Sequence, residues 1–155
     1  MKGYGLLQVY TGSGKGKTTA ALGVALRAAG RGARTVMLSF LKDDPDYGEA
    51  MAAQYLPHFL LRQVGRDAFV NFHNPDPIDL KMVREGWEEA KKIILEDTAD
   101  LLILDEPTNH LDQEIKKALA KAIKNYSSSA ILVCHEPDFY QELVDHIIKI
   151  ENCNF

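Results

Sequence analysis

Apolar and polar positions follow two alternating rhythms from one end of the chain to the other. Short apolar runs at 6–10, 35–41, 59–64, 101–104, 130–134 and 147–150 have the length and content of buried strands. Helical stretches lie between them. Residues 18–29 are Ala, Leu, Val and Gly, apolar nearly all round, which predicts a buried helix with Gly30 and Gly32 as stop signals. A short helix is expected over 48–56, ended before Pro57. Leu80, Val83, Trp87, Ala90 and Ile94 recur every three or four residues and mark one helix face. Ile115, Leu119, Ala122 and Tyr126 mark another, and 139–144 predicts a further short helix. Residues 65–79 read as a loop, because Asn74-Pro75-Asp76-Pro77 does not fit a helix interior. Strand and helix in alternation predict an α/β fold: a parallel sheet of about six strands with helices on both faces. The 155 residues suit one domain, with no internal repeat or linker.

The first apolar run stops at Thr11-Gly12-Ser13-Gly14-Lys15-Gly16-Lys17-Thr18-Thr19, which opens the first helix. A glycine-rich turn from strand into helix is the context a phosphate-binding loop needs. Glycines let the backbone turn with its N–H groups inward, and the positive helix end adds to their attraction for an anion. Lys17 would reach terminal phosphates, with Lys15 as a second contact. Thr18 would offer its hydroxyl to Mg²⁺, with a further hydroxyl at Thr19. The string departs from GxxxxGK[ST]: Thr11 stands at the first glycine position and Gly12 is displaced by one.

A second element is Leu101-Leu-Ile-Leu-Asp105-Glu106-Pro107, an apolar strand ending in two carboxylates. Alone, it would read equally as a surface acidic turn. In a parallel sheet it comes to the same edge as the phosphate loop. Asp105 is then the candidate for the Mg²⁺ shell, with Glu106 beside it either as a candidate base that orients or deprotonates water or as a further metal-supporting carboxylate. His135 ends the next apolar strand and is a candidate sensor of the terminal phosphate. Arg62 and Arg66 flank the third strand, and a solvated role is favoured for each over contact with an anionic substrate. Phe69 and Phe72 are candidates for touching a flat ligand.

Composition narrows the classes. The chain is 46% hydrophobic and 26% charged, ordinary for a soluble globular protein. A net charge of −4 argues against nucleic acid as the main partner. Cys134 and Cys153 form no CxxC pair, and His58, His73, His110 and His146 show no metal-ligand spacing. No apolar stretch approaches the roughly 18 residues that span a membrane, and the N-terminus has no signal-peptide pattern. A cytoplasmic location is expected.

From about Gly5 to Leu104 the chain resembles the ATP:corrinoid adenosyltransferases of cobalamin synthesis. The resemblance is carried by Gln8-Val-Tyr-Thr-Gly-Ser-Gly-Lys-Gly-Lys-Thr-Thr-Ala-Ala-Leu-Gly23, Ala25-Leu-Arg-Ala-Ala-Gly30, Tyr47-Gly-Glu49 and Gln63-Val-Gly-Arg-Asp-Ala-Phe-Val70. The short Gly-Lys-Gly-Lys-Thr loop is that family's variant. From about Leu101 to Glu151 the chain is similar to ATP-binding domains of ABC ATPases, especially the soluble F subfamily. Here the carriers are Leu104-Asp-Glu-Pro-Thr-Asn-His-Leu-Asp112 and Ile131-Leu-Val-Cys-His-Glu-Pro-Asp-Phe139. That second resemblance implies Glu106 as catalytic base, Asp112 in a loop that crosses to a partner domain, and His135 as the γ-phosphate switch.

The two resemblances meet at the acidic strand, so 1–104 and 105–155 read as two parts of a chimera. Engineered recombination is favoured over a natural origin. No Leu-Ser-Gly-Gly-type signature occurs, which argues against ABC-style sandwiching; a homodimer of another kind is left open. The adenosyltransferase resemblance implies strand order 3-2-4-5-1-6. It further implies attack of reduced cobalt on the 5′ carbon of ATP with release of tripolyphosphate. ATP, Mg²⁺ and a corrinoid substrate are the expected ligands. A slow ATPase, or a nucleotide-binding scaffold with little turnover, are the alternatives. Replacement of the segment after Glu106 bears on corrinoid binding far more than on ATP binding.

Overall fold

The computed structural model describes residues 5–40, 43–66 and 73–152. Six strands form one sheet: β1 (Leu7–Thr11), β2 (Thr35–Phe40), β3 (Phe59–Val64), β4 (Leu101–Asp105), β5 (Ser129–Val133) and β6 (His146–Lys149). Their order is β3-β2-β4-β5-β1-β6, and every pairing is parallel. Both the expected order and the strand carrying His135, between the loop strand and the acidic strand, are borne out. The helices are α1 (Lys17–Gly30), α2 (Gly48–Ala53), α3 (Pro77–Glu96), α4 (Gln113–Lys124) and α5 (Pro137–Tyr140).

The apolar run of β4 is explained by two-sided burial, since all five of its residues are buried, whereas only Val64 of β3 is. On one face Val9, Leu38, Leu102, Leu104 and Leu132 pack with Val83, Trp87, Ala90 and Ile94 of α3, Leu119 and Ile123 of α4 and Tyr140 of α5. On the other, Tyr10, Met37, Ile103, Ile131 and Val133 pack with Ala21 and Ala25 of α1. Thus the helical stripes at 83–94 and 119 hold, while Leu80, Ile115, Ala122 and Tyr126 are only half-buried.

Several expectations change. Helix α1 is not buried all round: Ala21, Ala25 and Ala29 form its only fully buried edge, and Leu26 is 53% exposed. Small side chains let that edge lie close to the sheet, and the opposite side faces solvent. Its end follows the Schellman pattern, with Gly32 N–H donating to Ala29 O (2.9 Å) and Ala33 N–H to Ala28 O (3.1 Å). The loop expected to reach Asp79 stops earlier, because Pro77 sits at the start of α3, where its missing N–H costs nothing. Asp79 is thereby a buried helical residue. Helix α5 occupies 137–140 rather than 139–144, again with a proline at its start. Strand β6 is exposed at all four residues, because it lies at the sheet edge and only β1 pairs with it. Asp112 accepts a hydrogen bond from Ile115 N–H (2.9 Å) and caps α4.

Arg62 and Arg66 are not merely solvated. Arg62 pairs with Glu89 at 2.8 Å. Arg66 grips Asp79 with two nitrogens (2.6 and 2.9 Å) and also pairs with Asp76. This guanidinium holds the Asp79 carboxyl below the usual carboxylate range. Phe69, Phe72, the 67–70 part of the quoted resemblance, Leu41 and Cys153 lie outside the described residues.

Two glycines test the packing with opposite signs. A Cβ on Gly86 would meet Val64 Cγ1 at 2.6 Å and Phe40 Cε1 at 2.8 Å, both in buried side chains. Gly86→Ala should lose about 1–3 kcal/mol in urea denaturation. A Cβ on Gly23, in the middle of α1, meets nothing within 4 Å. Gly23→Ala should gain about 0.4–1 kcal/mol in the same measurement.

Candidate functional site

Parallel pairing puts the carboxyl ends of β1, β4 and β5 along one sheet edge. Thr11 ends β1, Asp105 ends β4, and His135 follows β5 by two residues. The register sets Asp105 opposite Ser39 on one side and Val133 on the other.

The phosphate loop leaves β1 at Thr11 and enters α1 at Lys17. Gly12 (φ 107°) and Gly16 (φ 105°) adopt left-handed backbone, which side chains other than glycine rarely tolerate. Gly16 is the N-cap of α1, without a side-chain cap, so the helix presents its first N–H groups to an anion. The Lys17 ammonium donates to the carbonyls of Gly12 (2.9 Å) and Gly14 (2.8 Å) and bridges the loop from within. Thr18 Oγ1 donates to both oxygens of Asp105, each at 3.3 Å, and Asp105 has no exposed surface.

Hence Thr11, Gly12, Gly14, Gly16, Lys17, Thr18 and Asp105 converge on the loop. Lys15 and Thr19 are exposed. Ser13, also exposed, donates to Glu151 Oε2 at 2.9 Å. The hydroxyl of Tyr140 donates to Thr11 Oγ1 at 3.3 Å. Sequence reasoning missed Tyr140 and Glu151. The aromatic run around residue 139 was a signal for the first, whereas nothing in the pattern marks the second.

Glu106 sits just past the strand end in left-handed backbone (φ 56°), and its N–H donates to Val133 O at 2.8 Å. Left-handed backbone at a non-glycine residue is costly and needs surrounding support. The side chain of Glu106 reaches His135, with Oε1 to Nε2 at 3.0 Å. Burial and the Lys17 charge hold the His135 imidazole below its ordinary range, with Asp105 opposing. The contact joins a carboxyl group to an imidazole whose charging is disfavoured by burial. Lys116 pairs with Glu136 at 2.6 Å and steadies the segment after His135.

The Thr18 hydroxyl and the buried Asp105 carboxylate are hard oxygen donors of the kind Mg²⁺ takes. Among the described residues no group of three or more His, Cys, Asp and Glu could hold a metal ion.

Residues 3–150 match the family model of ATP:corrinoid adenosyltransferases BtuR/CobO/CobP. The chain belongs to this family. The match runs well past Leu104, where the resemblance was expected to end. The corrinoid adenosyltransferase of Escherichia coli is 36% identical over 104 residues, covering 67% of this chain and 52% of that protein. The chain thus spans about half the length of that adenosyltransferase relative. An uncharacterized ABC transporter ATP-binding protein of Bacillus subtilis, YfmM, is 49% identical over 74 residues, 45% of this chain but only 14% of that protein. A KaiC-like protein of Pyrococcus horikoshii shares the fold, with TM-score 0.64, 14% identity, and coverage of 94% of this chain and 70% of that one. This adenosyltransferase-family chain has, among its described residues, no helix long and apolar enough to cross a membrane.

The His135 environment yields a direct test. Its imidazole proton resonances should titrate with a midpoint below about 6.5. Lys17→Met removes the adjacent positive charge and should move that midpoint upward. Since the unfolded chain binds the His135 proton more tightly, this group lowers stability as pH falls through about 6.5 toward its folded value.

Proposed function

We propose that this chain is one nucleotide-binding domain that holds Mg-ATP on its phosphate loop and transfers the adenosyl group to a reduced corrinoid. The observation that carries the reading is the joint placement of Lys17 inside the loop and Thr18 on buried Asp105, in a member of the adenosyltransferase family.

The reduced cobalt of the substrate supplies an electron pair to the 5′ carbon of ATP. The C5′–O bond breaks, and its electrons leave with tripolyphosphate. The chain's part is to stabilise that departing charge. Loop N–H groups, except that of Gly14, which donates to Ile150 O, and the α1 N-terminus face the anion, while Lys17 exchanges its two carbonyl partners for phosphate oxygens. Thr18 and Asp105 would hold Mg²⁺, which neutralises triphosphate charge when bound. Glu106 supports that acidic edge and activates no water in this reading.

A second reading is slow ATP hydrolysis. The Glu106–His135 contact and the left-handed Glu106 backbone favour it, since they hold a carboxyl group and an imidazole together at this edge. A chimera of an adenosyltransferase-like 1–104 and an ABC-like 105–155 would account for both. It is supported by the higher identity but shorter span of the ABC-type relatives.

Product analysis separates the readings. With Mg-ATP and a chemically reduced corrinoid under anaerobic conditions, tripolyphosphate and adenosylated corrinoid are expected. Orthophosphate without alkylated corrinoid would replace this proposal with the hydrolase reading. Lys17→Ala should weaken Mg-ATP binding by about 10- to 100-fold in calorimetry; unchanged affinity would refute the nucleotide site itself. Glu106→Gln should leave binding intact and abolish any orthophosphate release.

A further inference from the structure

The phosphate loop has an inner side, bridged by Lys17, and an outer side that meets the chain after β6. Ile150 N–H donates to Thr11 O at 2.8 Å, and Gly14 N–H donates to Ile150 O at 2.7 Å. The Gly14 N–H is therefore committed outward to the chain and not inward to a phosphate. Side chains are excluded along this contact. A Cβ on Gly12 would lie 2.4 Å from Ile150 O, and one on Gly14 2.7 Å from the same oxygen and 2.8 Å from Glu151 C. Two loop glycines are thus fixed by the close approach of backbone, which cannot move aside as a side-chain tip can. Beyond Ile150, Glu151 accepts a hydrogen bond from Ser13 Oγ at 2.9 Å. The segment Thr11–Gly14 is held at three successive points by residues more than 130 positions later.

We infer that Glu151 is a positioning residue of the nucleotide site: through Ser13, and with the Ile150 backbone, it holds the outer limb of the phosphate loop in the form that receives triphosphate. This rests on the nucleotide-binding reading above. The inner N–H groups can converge on an anion only while the outer limb stays put, and the outer limb has few anchors of its own. Ser13 is exposed and Gly12 is left-handed. The opposing possibility is purely electrostatic: a carboxylate at the mouth of an anion site repels its ligand. The two predict opposite signs.

The experiment is calorimetric titration of Mg-ATP into the full chain and into Glu151→Ala, Glu151→Gln, Ser13→Ala and the Ser13→Ala/Glu151→Ala double variant. Thermal unfolding without nucleotide is recorded for each. Glu151→Ala should weaken Mg-ATP about threefold to tenfold, the range one hydrogen bond commands. Its ligand-free unfolding midpoint should hold. Glu151→Gln keeps an acceptor for Ser13 and should restore affinity to within about twofold. In the Ser13→Ala background, Glu151→Ala should add no further loss, because the contact is already absent. Tighter binding by both Glu151 variants, or unaltered affinity in Glu151→Ala, overturns the inference and leaves the nucleotide site standing. A loss in Glu151→Ala that Glu151→Gln does not restore, or one that Ser13→Ala does not absorb, also overturns it. If the unmodified chain binds no Mg-ATP, the nucleotide reading falls and this inference falls with it.

Discussion

The parallel ladder is the constraint on which everything else depends. With β4 between β2 and β5, and β5 beside β1, the strand ends must share one edge. A one-residue slip would turn every side chain to the opposite face and carry Asp105 off the edge. Two-sided burial opposes such a slip, because every residue of β4 is covered. The apolar core thereby fixes the position of polar groups that contribute little to folding themselves.

Those polar groups form a graded electrostatic set. Asp105 is buried and accepts from Thr18; Lys17 is tied to two carbonyls at the centre of the loop; burial, and after it the Lys17 charge, disfavours the charged form of His135. A buried carboxylate beside a hydroxyl and an ammonium nearby is an arrangement that a cation and an anion can enter together. The ligand proposed above, a polyphosphate with a divalent cation, would supply both charges. The Glu106–His135 contact lies at the same edge, and both residues belong to the strings that carry the ABC-like resemblance.

The outer contact of the loop gives the chain after β6 a part in the site. Residues read as the phosphate loop at one end and as the last apolar run at the other are a backbone hydrogen bond apart. If the two parts have separate ancestry, their compatibility rests on carbonyl and amide groups, which every sequence supplies, and on the bare Cα of Gly12 and Gly14.

Local chemistry determined much by itself. Apolar runs and three-four spacings set the α/β class. The glycine-lysine-threonine string between strand and helix set the loop. The Asp105-Glu106 pair after an apolar strand set the acidic edge. These are legible because each rests on neighbours within a few residues: strand period, helix period, turn geometry. Tertiary structure alone decided which side of α1 is covered, that β6 is an exposed edge, and that Arg66 is committed to Asp76 and Asp79. It likewise decided that Tyr140 and Glu151 reach Thr11 and Ser13. Each of these depends on which distant segments the sheet order brings side by side, and no local periodicity encodes a contact between residues 13 and 151.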